Sequence, residues 1–305
     1  MIWVNQIVQG ILLGGYYALL ASGLSLMFGV MRIINLAHGD LAVLGAFLVL
    51  TLTGHGVSAW AALAAVLPAM AVLGWVLQRT MLQRSLRSGV LVPLLTTFGL
   101  AIVIQNALFE QYGADVRSLG PSIGTLSFDS WTITNQIYVA KLAALILGVA
   151  VAVLVGLQLF LGRTSLGRAL RATAEDADTA ELVGINSRAV YGFAAAIAVA
   201  TVALAGVFLA MRSQVAPYDG PTQLIFAFEA VVIGGLGSLW GTLVGGIVLG
   251  VAQNVGQQIG QQFFSTSEWF LPAGHIVFLA VLAGRVLYNE VTARGGLRAV
   301  LGHAT

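Results

Sequence analysis

The chain has 305 residues, of which 58% are hydrophobic and only 9% are charged. An ordinary soluble domain carries about 25% charged residues, so this composition excludes a water-soluble globular fold and predicts a surface that mostly contacts membrane lipid. A formal net charge of +2 is too small to indicate nucleic-acid binding, and the lack of cysteine excludes disulfides and thiolate chemistry.

Apolar stretches long enough to cross a membrane recur along the chain. A hydrocarbon core about 30 Å thick needs about 20 residues of apolar helix. Stretches of roughly that length lie at 7–28, 59–77, 90–109, 137–161, 190–210, 241–259 and 270–287, and shorter or interrupted ones lie at 41–52 and 224–236. No basic residue precedes Arg32, so the first stretch is expected to be a retained span and not a cleaved signal peptide. The sequence predicts an all-α polytopic bundle of about eight to nine spans, in one domain over residues 1–305.

Basic residues between these stretches form three clusters. They are Arg79, Arg84 and Arg87; Arg163, Arg168, Arg171 and Arg188; and Arg285, Arg294 and Arg298. Because cytoplasmic loops carry an excess of Arg and Lys, we thread the spans so that all three clusters lie on one side. This threading places the loop 162–188 and the C-terminus in the cytoplasm, and the loop 112–136 outside.

The outer loop, 112–136, is too long for a simple connector. It combines glycine and proline with aromatic side chains, among them Tyr112, Phe128 and Trp131. One interpretation is an interfacial loop with an aromatic belt. The other is a docking surface for an external protein.

The inner loop, 162–188, is rich in charged residues on a chain with few charges elsewhere. Thr173 followed by Asp176 resembles a capping box, which predicts a short helix over 174–183. Gly184 suits the position just after the end of that helix. A charged, amphipathic helix on the cytoplasmic face favours docking of a partner protein over a loop that is only solvated.

Catalytic motifs are missing. Nucleotide hydrolysis would require a GxxxxGK[ST] loop, and no glycine loop precedes the one lysine, Lys141. The four histidines, His38, His55, His275 and His303, are scattered, so no metal site is expected. An intramembrane enzyme is therefore the least favoured class of function.

Ionisable groups at membrane depth are more informative, because a charge at the bilayer centre costs at least about 2.5–3.5 kcal/mol. Arg32 and Asp40 flank a polar break, in which Asn35 and His38 are suited to bind backbone groups freed where a helix unwinds. Broken helices often line solute pathways. The alternatives are a snorkelling Arg32–Asp40 pair and, for Glu229, a structural carboxyl bonded to a neighbouring helix. Further polar candidates are Asn106, Gln253 and Asn254.

Glycine pairs at GxxxG spacing predict close helix packing. The pairs are Gly10/Gly14, Gly241/Gly245, Gly246/Gly250 and Gly256/Gly260. Their concentration in 241–260 indicates a tightly packed helix there, either within the chain or at a subunit contact.

Several segments together resemble one known family. They are GVMRIINLAHGD at 29–40, LLTTFG at 94–99 followed by Gln105 and Asn106, RALRATAEDADTAELVGIN at 168–186, and FEAVVIGGLGSLWG at 228–241. In this order, over nearly the whole chain, they are similar to the signatures of branched-chain amino acid (Liv-type) ABC transporter permeases. The chain most resembles the shorter of that family's two paralogous permeases.

The resemblance implies a bacterial inner-membrane protein with a set of partners. Such permeases pair with a second permease (a paralogue or a second copy), with two cytoplasmic ATPase subunits that bind ATP and Mg, and with a periplasmic or extracellular solute-binding protein. It implies no cofactor in this chain. Segment 168–186 is similar to the family's cytoplasmic coupling loop, which gives as candidates Arg168, Arg171, Ala172, Glu175, Asp176, Ala180 and Gly184.

The main functional hypothesis is a permease subunit of an ABC importer that moves branched-chain or other small amino acids by alternating access, driven by partner ATPases. The candidates for the translocation pathway or the broken helix are Asn35, His38, Asp40, Asn106 and Glu229. The alternative is a self-sufficient channel or secondary transporter. The solute class stays open between leucine-like amino acids, other neutral amino acids, urea or amides, and small organic acids.

Overall fold

The computed structural model describes residues 2–85, 89, 91–134 and 137–301. The helices are α1 (Ile2–Met31), α2 (His38–Gly54), α3 (Ala59–Leu77), α4 (Gln83–Ser85), α5 (Leu91–Tyr112), α6 (Lys141–Arg163), α7 (Ser165–Glu175), α8 (Ala177–Leu182), α9 (Ser187–Arg212), α10 (Gly220–Gly234), α11 (Leu239–Phe264) and α12 (Phe270–Leu301). A π-helical turn, Gln78–Leu82, joins α3 to α4. A 3-10 segment, Gly120–Ser127, precedes an antiparallel hairpin of β1 (Ser130–Thr134) and β2 (Ile137–Ala140).

Seven helices in the described part of the chain are long and apolar enough to cross a membrane. They are α1, α3 with its extension to Ser85, α5, α6, α9, α11 and α12. The helices α2 and α10 have 17 and 15 residues and are shorter. Each predicted apolar stretch corresponds to one of these helices, so the prediction of an all-α polytopic bundle is confirmed.

The boundary predicted at residue 137 is wrong. Residues 137–140 form β2, which pairs with β1, and α6 begins only at Lys141. The run Ile-Tyr-Val-Ala is apolar and β-branched or aromatic, and a short run of this kind cannot be assigned to helix or strand from hydropathy alone. Lys141 closes the hairpin through a 3.0 Å ion pair with Asp129.

The helix predicted over 174–183 is also wrong, because the inner loop forms two helices with different caps. The Thr164 side chain accepts a hydrogen bond from the Gly167 amide and begins α7. At Asp176 the backbone is extended, and its side chain accepts from the amides of Asp178 and Thr179 to begin α8. The proposed cap residue Thr173 lies buried inside α7. Asp176 is thus a cap in its own right.

Helix α1 forms the centre of the bundle, with 89% of its apolar stretch buried, against 6% of that of α12. It crosses α11 at the predicted glycine pairs. A Cβ at Gly10 would overlap the Val251 backbone, and one at Gly246 would overlap the backbones of Gly14 and Ala18. This small-residue contact lies within the chain.

The arginine clusters meet at one end of the bundle. Arg79, Arg84 and Arg188 line a cleft of about 290 Å³. Arg171, on α7, lines a second cleft of about 350 Å³ with Arg32, which follows α1. We call this the basic end. The opposite end, with the 3-10 segment and the β1–β2 hairpin, is the hairpin end.

The third cluster is described only in part. The Arg285 guanidinium donates to the Ile233 carbonyl near the end of α10, at 2.8 Å. Arg87 lies outside the described residues, as do the side chains of Arg294 and Arg298. Residues 135 and 136, at the end of the predicted outer loop, lie outside them too.

Candidate translocation site between two short helices

The polar break between α1 and α2 places the start of α2 beside the middle of α1. Helix α1 ends at Met31, and Arg32 takes a left-handed conformation with φ 54°. The first residue of α2, His38, is 1% exposed, and its Nε2–H donates to the Leu20 carbonyl at 2.8 Å. Leu20 lies near the middle of the 30-residue helix α1. Helix α2 therefore begins about halfway along the bundle.

Side chains satisfy the backbone groups freed in this break. The Asn35 side-chain oxygen accepts from the Ala37 amide at 3.0 Å. The Leu36 amide donates to the hydroxyl of Thr97, a fully buried residue of α5, at 3.1 Å. An unwound segment is stable away from water only when its backbone groups find such partners. Asn35 thus has the hydrogen-bonding role that the sequence predicts.

Helix α10 begins at the same depth. The Tyr16 hydroxyl of α1 donates to the side-chain oxygen of Gln223, in the first turn of α10, at 2.6 Å. A Cβ at Gly39 would overlap the Gly220 carbonyl, so the first turns of α2 and α10 are in backbone contact. We call this contact the α2–α10 junction, formed by residues 38–40 and 220–223.

The junction encloses one carboxyl group. Asp40 is 2% exposed, and its Oδ1 has no hydrogen-bond partner among the described residues. It lies against Gly220, at the positive ends of two helix dipoles, which favour a negative charge. Arg32 is exposed and forms none of the described ion pairs, so the snorkelling Arg32–Asp40 pair is wrong.

Glu229 pairs with a histidine that the sequence did not single out. Glu229 is 3% exposed, and its Oε1 accepts from Nδ1 of His275 on α12 at 2.5 Å. Nearby on α1, the Tyr17 hydroxyl donates to Gln253 of α11 at 2.6 Å. Glu229 and His275 are 46 residues apart on different helices, so no local spacing predicts the pair. The carboxyl bonds a neighbouring helix, as one of the two interpretations expects.

Asn106 stands apart from these groups. It is on an exposed face of α5, and its amide donates to the Ile102 carbonyl of its own helix at 2.8 Å. The structure therefore brings Asn35, His38 and Asp40 together, but it does not bring Asn106 to the junction.

Comparison with known proteins shows which family this chain belongs to. Residues 6–284 match the family described as "Branched-chain amino acid transport system / permease component". This chain belongs to that family. The high-affinity branched-chain amino acid transport system permease BraD of Pseudomonas aeruginosa is 34% identical over 251 residues, which cover 78% of this chain and 81% of BraD. Its counterpart LivH of Escherichia coli K12 is 30% identical over 253 residues, with 78% and 81% covered.

A solved structure, PsaBC from Streptococcus pneumoniae in complex with Fab, has a TM-score of 0.46 and 15% identity. The match covers 91% of this chain and 90% of the matched chain in that structure. The family match and the curated relatives confirm the expected permease subunit of an ABC importer.

At the basic end, the permease presents the two helices of the inner loop. Leu170 is fully buried and anchors α7 in a core cluster with Met27 and Val30 of α1. Beyond the anchor, Leu182 and Val183 at the end of α8 are 87% and 75% exposed. These two apolar residues were missed, because the prediction followed the charges of the loop.

The predicted coupling residues lie mostly on the open surface of these helices. Ala180 is buried, and the exposed ones are Arg168, Arg171, Ala172, Glu175, Asp176 and Gly184. Gly184 has φ +85°, as a residue just after a helix end requires. The hydroxyl and amide of Thr179 donate to Asp176, and these hydrogen bonds hold the pKa of its carboxyl below the usual range.

Proposed function

We propose that this permease carries branched-chain amino acids inward through the α2–α10 junction, by alternating access that partner ATPases drive. The curated relatives, named as branched-chain amino acid permeases, support the solute class. The observation that carries the route is the meeting of two short helices halfway along α1. Polytopic transporters commonly bind solute where interrupted helices meet at the membrane midplane.

In this proposal the basic end faces the cytoplasm and the hairpin end faces outward, following the excess of arginine at one end. A second permease, either a paralogue or a copy of this chain, completes the membrane unit. Two ATPase subunits that bind ATP and Mg dock at the basic end, and a solute-binding protein docks at the hairpin end. No cofactor and no ATP hydrolysis belong to this chain.

The junction is suited to open and close. Gly39 and Gly220 meet through their backbones, with no interlocking side chains between them. A small displacement of α10 relative to α2 therefore separates the two first turns and uncovers Asp40. Arg285 and His275, both on α12, bind α10 at Ile233 and Glu229, so α12 moves with it.

The inner helices transmit the movement of the ATPases. Leu170 is held between α1, α6 and α9, so a displacement of α7 reaches the basic ends of three long helices. The exposed Leu182 and Val183 supply an apolar contact for a partner, and Arg171 and Glu175 supply polar contacts around it. An apolar centre with a polar rim is the usual anatomy of a protein interface.

Substitution of Ala172 by Trp tests this coupling. Ala172 is exposed on α7, so the chain folds with the larger side chain, but docking of the ATPase is blocked. We expect the affinity of the ATPase for the chain to fall by tenfold or more, which corresponds to a loss of at least about 1.4 kcal/mol of docking energy. Solute-stimulated ATP hydrolysis by the transporter is expected to fall with it. Co-purification of the ATPase with the chain measures the same loss directly.

The matched control is Ala114→Trp, an exposed alanine at the hairpin end. It is expected to retain the ATPase during purification. Equal retention of the ATPase by both variants, with unchanged ATP hydrolysis, would contradict the proposed role of α7 and α8.

A further inference from the structure

The hairpin end contains a cavity of about 260 Å³ between α1, α6, α9, α11 and the β1–β2 hairpin. We call it the vestibule. Its wall includes Tyr16, whose hydroxyl bonds Gln223 at the start of α10. A solute in the vestibule is therefore separated from the α2–α10 junction by one side chain. Drug-sized ligands occupy pockets of about 300–1,000 Å³, so this cavity suits a smaller molecule.

One wall of the vestibule carries a positive charge. Arg212, the last residue of α9, lies with its guanidinium carbon 5.4 Å from the centre of the Tyr16 ring. Among the described residues the ion pairs are Lys141–Asp129 and Glu229–His275, so Arg212 forms no direct ion pair with a carboxylate there. A guanidinium stays protonated and presents paired donors that match a carboxylate.

Two amide side chains supply acceptors. Gln9 donates its NH₂ group to the Tyr138 carbonyl at 2.6 Å, and Asn254 donates its NH₂ group to the Gly250 carbonyl at 2.9 Å. A backbone carbonyl only accepts, so in both residues the nitrogen faces the backbone. The two side-chain oxygens receive no hydrogen bond from the described residues. They are available to an ammonium group.

Most of the remaining wall is apolar, with Ser127 as a polar member. Leu13, Leu142 and Ile146 border the cavity and are 8%, 4% and 2% exposed, so they form a fixed apolar surface. Burial of a Leu- or Val-sized side chain against such a surface is worth about 1.5–3 kcal/mol. The vestibule thus combines a cation, uncharged acceptors and a hydrocarbon wall within one small volume.

We propose that the vestibule is a binding site for the zwitterion of an aliphatic α-amino acid. Arg212 binds the carboxylate, the side-chain oxygens of Gln9 and Asn254 accept from the ammonium group, and the hydrocarbon side chain packs on the wall formed by Leu13 and Ile146. This inference rests on the proposed function and adds a first site for the solute on its way to the junction.

The chain has no cysteine, so a single introduced thiol reports on the cavity. Ser127 borders the cavity, is partly exposed and has none of the binding roles given above. In the assembled transporter carrying Ser127→Cys, we expect saturating L-leucine to slow alkylation of the thiol by a small maleimide. L-Leucinamide lacks the carboxylate and 4-methylpentanoate lacks the ammonium group. For each of them, the concentration needed to protect the thiol is expected to be at least about tenfold higher than for leucine, because a hydrogen bond to a charged group is lost.

Adding Arg212→Gln to the Ser127→Cys chain is expected to abolish protection by leucine. The matched control is Arg117→Gln, since Arg117 is also at the hairpin end but lies over the Tyr112 ring, at 5.0 Å, and not in the vestibule. Protection by leucine is expected to survive in this control.

Equal protection by leucine and leucinamide would overturn the inference. This comparison needs no substitution at Arg212, so the inference can be tested even if the Arg212 variant fails to fold. ATP-driven leucine uptake without protection of the thiol defeats the vestibule site alone. Protection without ATP-driven uptake defeats the proposed function and leaves the binding site standing.

Discussion

The substitution Gly39→Ala probes the α2–α10 junction with a single methyl group. A Cβ at Gly39 would overlap the Gly220 carbonyl and crowd the Leu224 amide, both of them backbone groups that cannot rotate away. The two helices must therefore separate. Overpacking of a well-packed site costs about 1–3 kcal/mol.

The matched control is Gly99→Ala on α5, where a Cβ would meet no atom within 4 Å. Alanine is favoured over glycine within a helix by about 0.8–1 kcal/mol, so this control is expected to be neutral or slightly stabilising. Thermal unfolding of the two purified variants compares their stability, and uptake by the assembled transporter compares their function.

We expect Gly39→Ala to melt several degrees below Gly99→Ala and to lose most of its uptake. The loss of uptake should exceed the loss of folded protein, because the separated first turns cannot close the junction. Equal melting temperatures and equal uptake in the two variants would refute the backbone contact between α2 and α10.

Three further changes test the surrounding contacts. Thr97→Val leaves the Leu36 amide in the break unpaired and is expected to destabilise the chain by about 1–3 kcal/mol. Thr96→Val is expected to be nearly neutral in the same melting assay, because Thr96 is only half-buried and its hydroxyl bonds the Val92 carbonyl of its own helix. His275→Ala leaves the Glu229 carboxyl buried without a partner and should lower the melting temperature, and adding Glu229→Gln should recover much of it; no recovery would count against the pair. The pKa of Asp176 is lowered in the fold, so its capping contribution is fully present above the unfolded pKa of about 4 and is lost as pH falls through the lower folded value. Asp176→Asn should therefore reduce the pH dependence of proteolysis in the α7–α8 loop over that range.

Hydropathy predicted the spans because lipid imposes a length on each helix, and every predicted stretch corresponds to a helix. The polar break was predicted for a similar reason. Asn35 and His38 are too polar for lipid unless they bind backbone groups or line a cavity, and the structure shows both of them bonded to the backbone. These inferences need only the local sequence and the solvent.

The features that could not be predicted from the sequence depend mainly on contacts between residues far apart in the chain. Nothing near Tyr16 or Glu229 in the sequence indicates that they bond Gln223 and His275, which lie on other helices. The two helices of the inner loop were missed because capping signals at Thr173 and Asp176 were joined into one motif. The structure shows that Asp176 caps alone, since its extended backbone ends α7 before α8 begins.

Uptake of radiolabelled leucine by proteoliposomes tests the central claim most directly. The purified chain alone is compared with the chain assembled with its second permease, two ATPases and a solute-binding protein. The account predicts uptake only for the assembly and only with ATP and Mg. Leucine flux through the isolated chain without ATP would contradict it and support a self-sufficient channel or secondary transporter.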